Sequence, residues 1–560
     1  MAESANIARH LPLMAARQPD MAAVKIPRGR TSAGDIDYLA LSFAELDAEV
    51  DAWVAKLESR SVRRGDRVLV MVRQGLPLIA AAFALFKLGA VPVIIDPGMG
   101  RKYFRACVAR SKPRVLLGIL TAQIASHFFR SAFRSVDIRV WVRGSATARL
   151  SSGGPASLRA VESVASNASD LAAVLFTSGS TGAPKGVCYE HGMFDAQVRL
   201  VRDTYGIAPG EVDLPLLPIF ALFNPALGMT TIVPELDPSQ PASVDPEKIV
   251  RAIQQEQVTN SFGSPTLWRK IARHCLANNI TLPSVRRVLM AGAPVPPALF
   301  ADLQKILPNG TAHSPYGATE SLPLASISAA EILGETAAKT AAGAGTCVGR
   351  PVKGITVKII PIADGLLTEV SELPAGQIGE ILVRGPVVTK EYDSLPDATA
   401  LAKIENKAST PWHRMGDVGY MDAASRLWFC GRKAERVETY EGPLYTEQVE
   451  PIFNAHPGVA RSALIGTGHD GHRPAIVVEP VSRDIVATPS LRRKLVRELQ
   501  QLALAHAHTR AIRLVYLHPA FPVDVRHNAK IHRLALAAWT AGQHGYEMDT
   551  GDVSPQALKR

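Results

Sequence analysis

The sequence predicts an α/β protein: a large N-terminal body of layered α/β sheets with a β subdomain, followed by a small C-terminal α/β domain. Three observations predict it. Short β-branched strands alternate with helical patterns from early in the chain, the rhythm of a parallel sheet covered by helices. From about Gly376 the pattern changes to short strands separated by turns, as in GQIGEILVRGP and DVGYMDAASRLWFCGR. The 560 residues, 47% hydrophobic and 20% charged, suffice for more than one core and exclude a disordered or collagen-like chain and a small disulfide scaffold.

In chain order, Arg9, Arg17 and Asp20 interrupt the apolar N-terminus, so no secretory signal is expected. Asp66–Val72 reads as a strand, Pro77–Leu88 as a helix, Ala90–Ile95 and Arg114–Leu120 as further strands. The longest strongly apolar run, Leu78–Phe86, is nine residues, far short of the roughly 20 that cross a bilayer. Ser151–Pro155 reads as a loop. About 128 residues follow Arg432, enough for one small α/β domain. Within it Leu491, Leu495, Val496, Leu499 and Leu502 recur at helical spacing, with Arg492, Arg493, Lys494 and Arg497 on the outer face. The boundaries expected are 1–431 for the body, 432–540 for the C-terminal domain and 541–560 for a polar tail that frays.

Charge and cysteines bound the partners. There are 62 Lys plus Arg against 51 Asp plus Glu, a net +11, but the signs are mixed through most of the chain. A solvated basic surface, with no nucleic-acid partner, is the expectation. Cys107, Cys188, Cys275, Cys347 and Cys430 lie far apart, with no CxxC pair and an odd total, which suits a reduced, cytoplasmic protein.

The most informative segment is LAAVLFTSGSTGAPKG, Leu171–Gly186. An apolar strand leads into Thr177, Ser178, Gly179, Ser180, Thr181 and Gly182, and Lys185 follows. Glycines let backbone approach an anion, hydroxyls and N–H groups donate to phosphate oxygens, and the lysine adds charge. This is not a Walker A loop, because Pro184 stands before Lys185 and Gly186 after it. Taken alone, such a loop is as readily a flexible turn.

It is not alone. TSGSTGAPKG, then Tyr316-Gly317-Ala318-Thr319-Glu320, Arg384-Gly385-Pro386, Gly416-Asp417-Val418-Gly419-Tyr420, Gly431-Arg432 and Lys530 resemble, in order, the motif set of the adenylate-forming enzymes. That superfamily includes acyl-CoA synthetases, luciferases and peptide-synthetase adenylation domains. The resemblance runs from about Leu41 to about Arg533, and it implies the superfamily's fold, with the C-terminal domain as a mobile lid.

The resemblance implies ATP and Mg²⁺ as cofactors and a role for each motif. Thr177, Ser178, Gly179, Ser180, Thr181, Gly182 and Lys185 would cradle phosphates. Gly292, Ala293, Pro294, Tyr316 and Gly317 would form the adenine pocket, where an aromatic face suits a purine. Asp417 would accept hydrogen bonds from the ribose hydroxyls, with Arg432 beside it. Thr319 would touch the α-phosphate, and Glu320 would hold Mg²⁺, a hard cation that prefers oxygen. Lys530, with Glu320, Thr319 and Lys185, would be catalytic, brought to the transferring group by lid closure. His191, His313, His413 and His527 sit in or beside motifs and read as structural.

Departures narrow the resemblance. Ala221, in PIFALFNP, stands where the family commonly has a gating histidine. Ala434 stands at the hinge position, usually Asp or Lys, and Ala529 precedes the lysine in place of Gly. With FALFNPALGMT, SPYGATESLP and FPVDVRHNAKI, the chain is similar to the β-lactone synthetases of bacterial olefin biosynthesis. That likeness implies a long-chain 2-alkyl-3-hydroxy acid as substrate, β-lactone, AMP and pyrophosphate as products, and the other enzymes of that lipid pathway as partners. Phe220, Phe223, Phe262 and Gly263 are candidates for an apolar acyl pocket, with plain core packing the alternative. The rival readings are an acyl-CoA or acyl-carrier ligase and a basic scaffold or membrane-surface protein without activity.

Overall fold

The computed structural model describes residues 4–150, 161–177, 183–237, 243–405, 410–468, 470–523 and 531–547. The expected loop at Ser151–Pro155 lies outside them. Among the described residues the strands form three sheets, of fourteen, six and four strands.

The six-stranded sheet follows the sequence rhythm. Arg67–Met71, Val91–Ile95, Val115–Gly118 and Ile138–Trp141 are parallel, and Leu171–Thr177 continues the sheet beside Val91–Ile95. The helix Leu76–Leu88 is apolar on nearly every side because it is buried on nearly every side, in the largest hydrophobic core. Its one cation, Lys87, donates to Asp51 at 2.5 Å and to Asp47 at 3.0 Å, as a buried charge must. The strand expected at Arg114–Leu120 stops at Gly118, because Leu120 opens the next helix, Leu120–Phe128.

In the fourteen-stranded sheet Asn260–Gly263, Arg287–Met290 and Thr311–Ala318 are parallel neighbours. Beyond Thr311–Ala318 the pairing turns antiparallel. Thr346–Pro351 bonds Ser321–Ser328 on one side and Leu427–Arg432 on the other, so the antiparallel strands expected after Gly376 continue the body's own sheet.

The C-terminal residues carry a separate sheet of Val459–Thr467, Arg473–Pro480, Leu514–Leu517 and Tyr546–Glu547, with its own buried apolar clusters. The helix Pro489–Ala505 buries Leu495, Val496, Leu499 and Ala503 and leaves Arg493, Lys494 and Arg497 exposed, as its periodicity predicts, but Leu491 in its first turn is exposed and Arg492 is half-buried. The polar stretch from Gly542, expected to fray, is in part held: Tyr546 pairs with Val515 and Glu547 with Leu514. All five cysteines are free and buried. Among the described residues no helix is long and apolar enough to cross a membrane.

Candidate active site

The parallel strands Asn260–Gly263, Arg287–Met290 and Thr311–Ala318 end on the same edge of the large sheet, where open α/β sheets bind ligands. Gly263 pairs with Met290, and Ala291 N–H donates to the Gly263 carbonyl at 3.3 Å. Gly292, Ala293 and Pro294 follow directly, with Gly292 exposed in the left-handed region at φ 95°. The adenine-pocket candidates from two segments therefore share this edge with Tyr316.

Thr311–Ala318 and Ser321–Ser328 form a hairpin whose tip is Thr319-Glu320, since Ala318 pairs with Ser321. The register slips between Tyr316 and Ala318, at Gly317. A Cβ there would lie 2.5 Å from the Ser321 carbonyl oxygen, so the close turn requires glycine. The tip is tied from both sides. Tyr189 donates its hydroxyl to the Thr319 carbonyl, and Thr389 N–H donates to the Glu320 carbonyl at 2.9 Å.

Tyr316 donates its hydroxyl to Asp417 Oδ2 at 2.5 Å, and Arg432 donates to Asp417 Oδ1 at 2.7 Å. Asp417 and Arg432 are cross-strand partners, which explains how residues fifteen apart meet. Burial pushes the Asp417 carboxyl up, and Arg432 opposes that shift. Burial beside the same carboxylate raises the Tyr316 phenol well above its usual range, so it remains a donor. The three ribose and adenine candidates thus form one cluster.

Glu320 accepts from the Tyr392 hydroxyl at 2.8 Å, and Lys185 Nζ sits 4.7 Å above the Tyr392 ring. Thr177 and Lys185 face each other across the hairpin that carries the Gly-rich loop, so the loop's two ends stand beside Glu320 through Tyr392. Ser178, Gly179, Ser180, Thr181, Gly182 and Lys530 lie outside the described residues, as do His527 and the side chains of Thr177 and Phe220.

Sequence reasoning missed Tyr392, Tyr189 and Lys403. Lys403 is buried, donates to the carbonyl and hydroxyl of Thr389, and is pushed down to about 7 by burial, an effect Glu320 opposes. A lysine among Ala400, Leu401, Ala402 and Ile404 was the signal, since a cation in an apolar run is either exposed or specifically partnered. The three described motif histidines are built into the framework. His191 accepts from Ile7 N–H at 3.2 Å and burial lowers it to about 4; His413 sits 3.2 Å from the Ala402 carbonyl; His313 packs edge-on against Tyr205.

Two of the acyl-pocket candidates, Phe223 and Phe262, fall together. Phe262 is buried in one apolar cluster with Ala221, and Phe223 and Ala291 pack against it. Gly263 is a close-packing position, where a Cβ would meet Leu216 at 2.9 Å and Trp268 at 3.1 Å. A row of rings joins this cluster to the hairpin tip: Phe223 lies 6.2 Å from Phe194, which stacks on Tyr189 at 5.0 Å. Asp213, also missed, fixes the two segments to each other, accepting from Asn224 at 2.9 Å and Asn260 at 2.6 Å. Burial raises its carboxyl to about 6 against those two bonds.

A family model described as AMP-binding enzyme matches residues 13–393. The chain is 45% identical to the olefin beta-lactone synthetase of Xanthomonas campestris pv. campestris over 552 residues, 96% of this chain and 98% of that protein. It is 44% identical to the olefin beta-lactone synthetase of Stenotrophomonas maltophilia over 558 residues, with the same shares. The structure matches that of ATP-bound MatB from Rhodopseudomonas palustris at a TM-score of 0.77 and 20% identity, covering 96% of this chain and 99% of that one, a likeness of fold. With Tyr316, Asp417 and Arg432 clustered on the large sheet, Lys185 of the six-stranded sheet reaching Glu320 through Tyr392, and the match running along most of its length, the chain belongs to the AMP-binding enzyme family.

Proposed function

We propose that the protein activates a long-chain 2-alkyl-3-hydroxy acid with ATP and closes it to a β-lactone, releasing AMP and pyrophosphate. The observation that carries this reading is the 45% identity, over 96% of the chain, to an olefin beta-lactone synthetase. The apolar cluster around Phe223 and Phe262, beside the Thr319-Glu320 tip, supports a long acyl substrate.

Asp417, oriented by Tyr316 and Arg432, would accept the ribose hydroxyls, and the sheet edge at Gly292–Pro294 would take the base. Lys185 and the Gly-rich loop would hold phosphate oxygens. Among the described residues no group of three acidic, His or Cys side chains gathers to cage a metal. A single carboxylate, Glu320, at the tip suits Mg²⁺, which favours one or two carboxylates plus substrate phosphates. When bound, Mg²⁺ neutralises charge on the phosphates. A substrate carboxylate oxygen attacks the α-phosphorus and pyrophosphate leaves. The 3-hydroxyl oxygen then attacks the carbonyl carbon, the acyl–phosphate bond breaks, AMP departs, and the hydroxyl proton is lost. Tethering that hydroxyl gives it an effective concentration on the order of 10⁵ M or more, so no second acyl acceptor is needed.

On this reading residues 1–431 are the adenylation body and 432–540 a lid turning near Ala434. The separate C-terminal sheet and clusters support a second unit after the body, and its last strand, Tyr546–Glu547, carries that unit past 540. The free, buried cysteines support a cytoplasmic setting, and enzymes that supply the hydroxy acid or take the lactone are its natural partners.

Mass analysis of a reaction with ATP, Mg²⁺ and a 3-hydroxy acid, without CoA, tests the proposal. The expected products are AMP and a neutral compound smaller than the acid by one water, at a rate indifferent to added CoA. Accumulation of a thioester with stoichiometric loss of CoA would replace the lactone reading with the ligase reading. Lys185→Ala is expected to weaken Mg-ATP binding by about 1.5 to 3 kcal/mol, the worth of a charged hydrogen bond. Calorimetric titration checks it, and unchanged affinity would remove Lys185 from the phosphate site.

A further inference from the structure

The molecule's positive charge is concentrated in one segment, which touches the Gly-rich motif where Arg110 donates to the Pro184 carbonyl at 2.9 Å. Between Pro97 and Leu150 the sequence holds eleven Lys or Arg (Arg101, Lys102, Arg105, Arg110, Lys112, Arg114, Arg130, Arg134, Arg139, Arg143, Arg149) and one acid, Asp137. That segment's net +10 nearly equals the whole chain's +11. Over most of the chain basic residues are mixed with acids; in this segment they are not. Arg114 is paired with Asp66 at 2.6 Å, and Asp137 adds a lesser pull on it. Arg101, Lys102, Arg105, Arg130 and Arg134 are exposed, and among the described residues none of them pairs with a carboxylate.

The helix Leu120–Phe128 lies within this segment and leads toward the edge strand Ile138–Trp141 of the six-stranded sheet. Leu120, Ile124 and Phe128 recur every fourth residue, so they share one face. They are 60%, 48% and 80% exposed. Exposed apolar residues are ordinary singly, but three in a row on one helix face form a patch that a soluble surface normally covers. Beside them is a groove of about 470 Å³ lined by Arg101, Thr121, Ile124, Ala125, Phe128 and Phe129. The Arg105 guanidinium lies 5.1 Å over the Phe129 ring.

We propose that this face docks on an anionic lipid surface, with Leu120, Ile124 and Phe128 inserted among the acyl chains and the surrounding arginines on the headgroup phosphates. The helix, about 13 Å long, would lie in the plane of the interface, as amphipathic surface helices do. Charge favours this occupant over a protein. Protein interface cores are depleted in charge and carry a polar rim, whereas here Arg101 stands in the groove's lining and Arg105 lies over its Phe129, both of one sign. Arginine matches phosphate bidentately, and an acidic bilayer presents apolar chains directly beneath its phosphates. Such docking would place the enzyme where long-chain acids partition. It rests on the surface alone and stands whether or not the lactone reading holds.

Flotation of the full chain with vesicles tests it. Phosphatidylcholine vesicles containing phosphatidylglycerol should carry the protein at low salt, pure phosphatidylcholine vesicles should not, and high salt should release it. R101E/R105E/R130E and, separately, L120S/I124S/F128S should each weaken binding at least about tenfold. Both sets are on the surface, and unchanged melting temperature and Mg-ATP affinity confirm that the variants fold. Failure of the wild-type chain to float with anionic vesicles would overturn the proposal. So would variants that bind like the wild type. Self-association or capture of a protein partner that is lost in the same variants, with vesicle binding absent, would assign the face to a protein instead.

Discussion

Lys530→Ala is expected to slow acyl-adenylate formation by roughly 10² to 10³-fold while leaving ATP affinity within about threefold. As the acid's carboxylate attacks the α-phosphorus, negative charge gathers on the transferring group and on pyrophosphate. A cation delivered there acts on the transition state more than on bound ATP, so its loss falls on the rate. Val523 and Ile531, which flank the lysine's segment, pair as an antiparallel bridge. Arg533, three residues beyond the lysine, donates to Glu435 at 2.8 Å and to Glu450 at 2.8 and 2.9 Å. Those contacts hold the segment's base against the residues beside Ala434. Single-turnover pyrophosphate release, set against calorimetric ATP binding, checks the expectation. A large fall in affinity with adenylation unchanged would contradict the role.

The largest loss of stability is expected from Glu380→Ala, about 3 to 5 kcal/mol. Glu380 is 1% exposed and accepts from Arg414 at 2.7 and 3.1 Å, and Arg414 is itself buried. Lys433, the residue before Ala434, approaches the same carboxylate at 3.2 Å. Removing the carboxylate leaves the buried Arg414 without its counter-charge and Lys433, among the described residues, with only Asp364, 3.9 Å away, which costs far more than loss of an exposed pair would. Glu380→Gln keeps a hydrogen-bond acceptor and should lose less. Urea unfolding followed by fluorescence measures both, and a loss below about 1 kcal/mol for the alanine variant would mean that Arg414 and Lys433 find other partners.

Much of the site was legible because its residues come in short contiguous motifs. Tyr316 to Glu320 is one hairpin, Gly416 to Tyr420 one strand, and each motif carries its own local geometry, such as the glycine at 317 that permits the tight turn. Tyr392, Tyr189 and Asp213 were not legible, and Lys403 showed only as a cation in an apolar run, with no sign of its partner. Each acts through a partner 11 to 130 residues away, as Asp213 does on Asn224, Lys403 on Thr389 and Tyr189 on Thr319. No spacing rule reports a pairing that only long-range packing creates. The basic face was missed for a different reason: averaging charge over the chain hides a cluster that dominates one segment.

By itself the sequence determined the α/β rhythm, the motif set and the family. Period-2 and period-3.6 patterns are imposed by local backbone geometry, and an ordered series of motifs is a property of the chain alone. Only the tertiary structure decided that Thr346–Pro351 joins the antiparallel strands to the body, that Asp417 is held between Tyr316 and Arg432, and that Leu120, Ile124 and Phe128 face solvent. Strand partners and burial depend on which distant segments meet. That choice follows from how the whole set of apolar faces is covered, and no local window contains it.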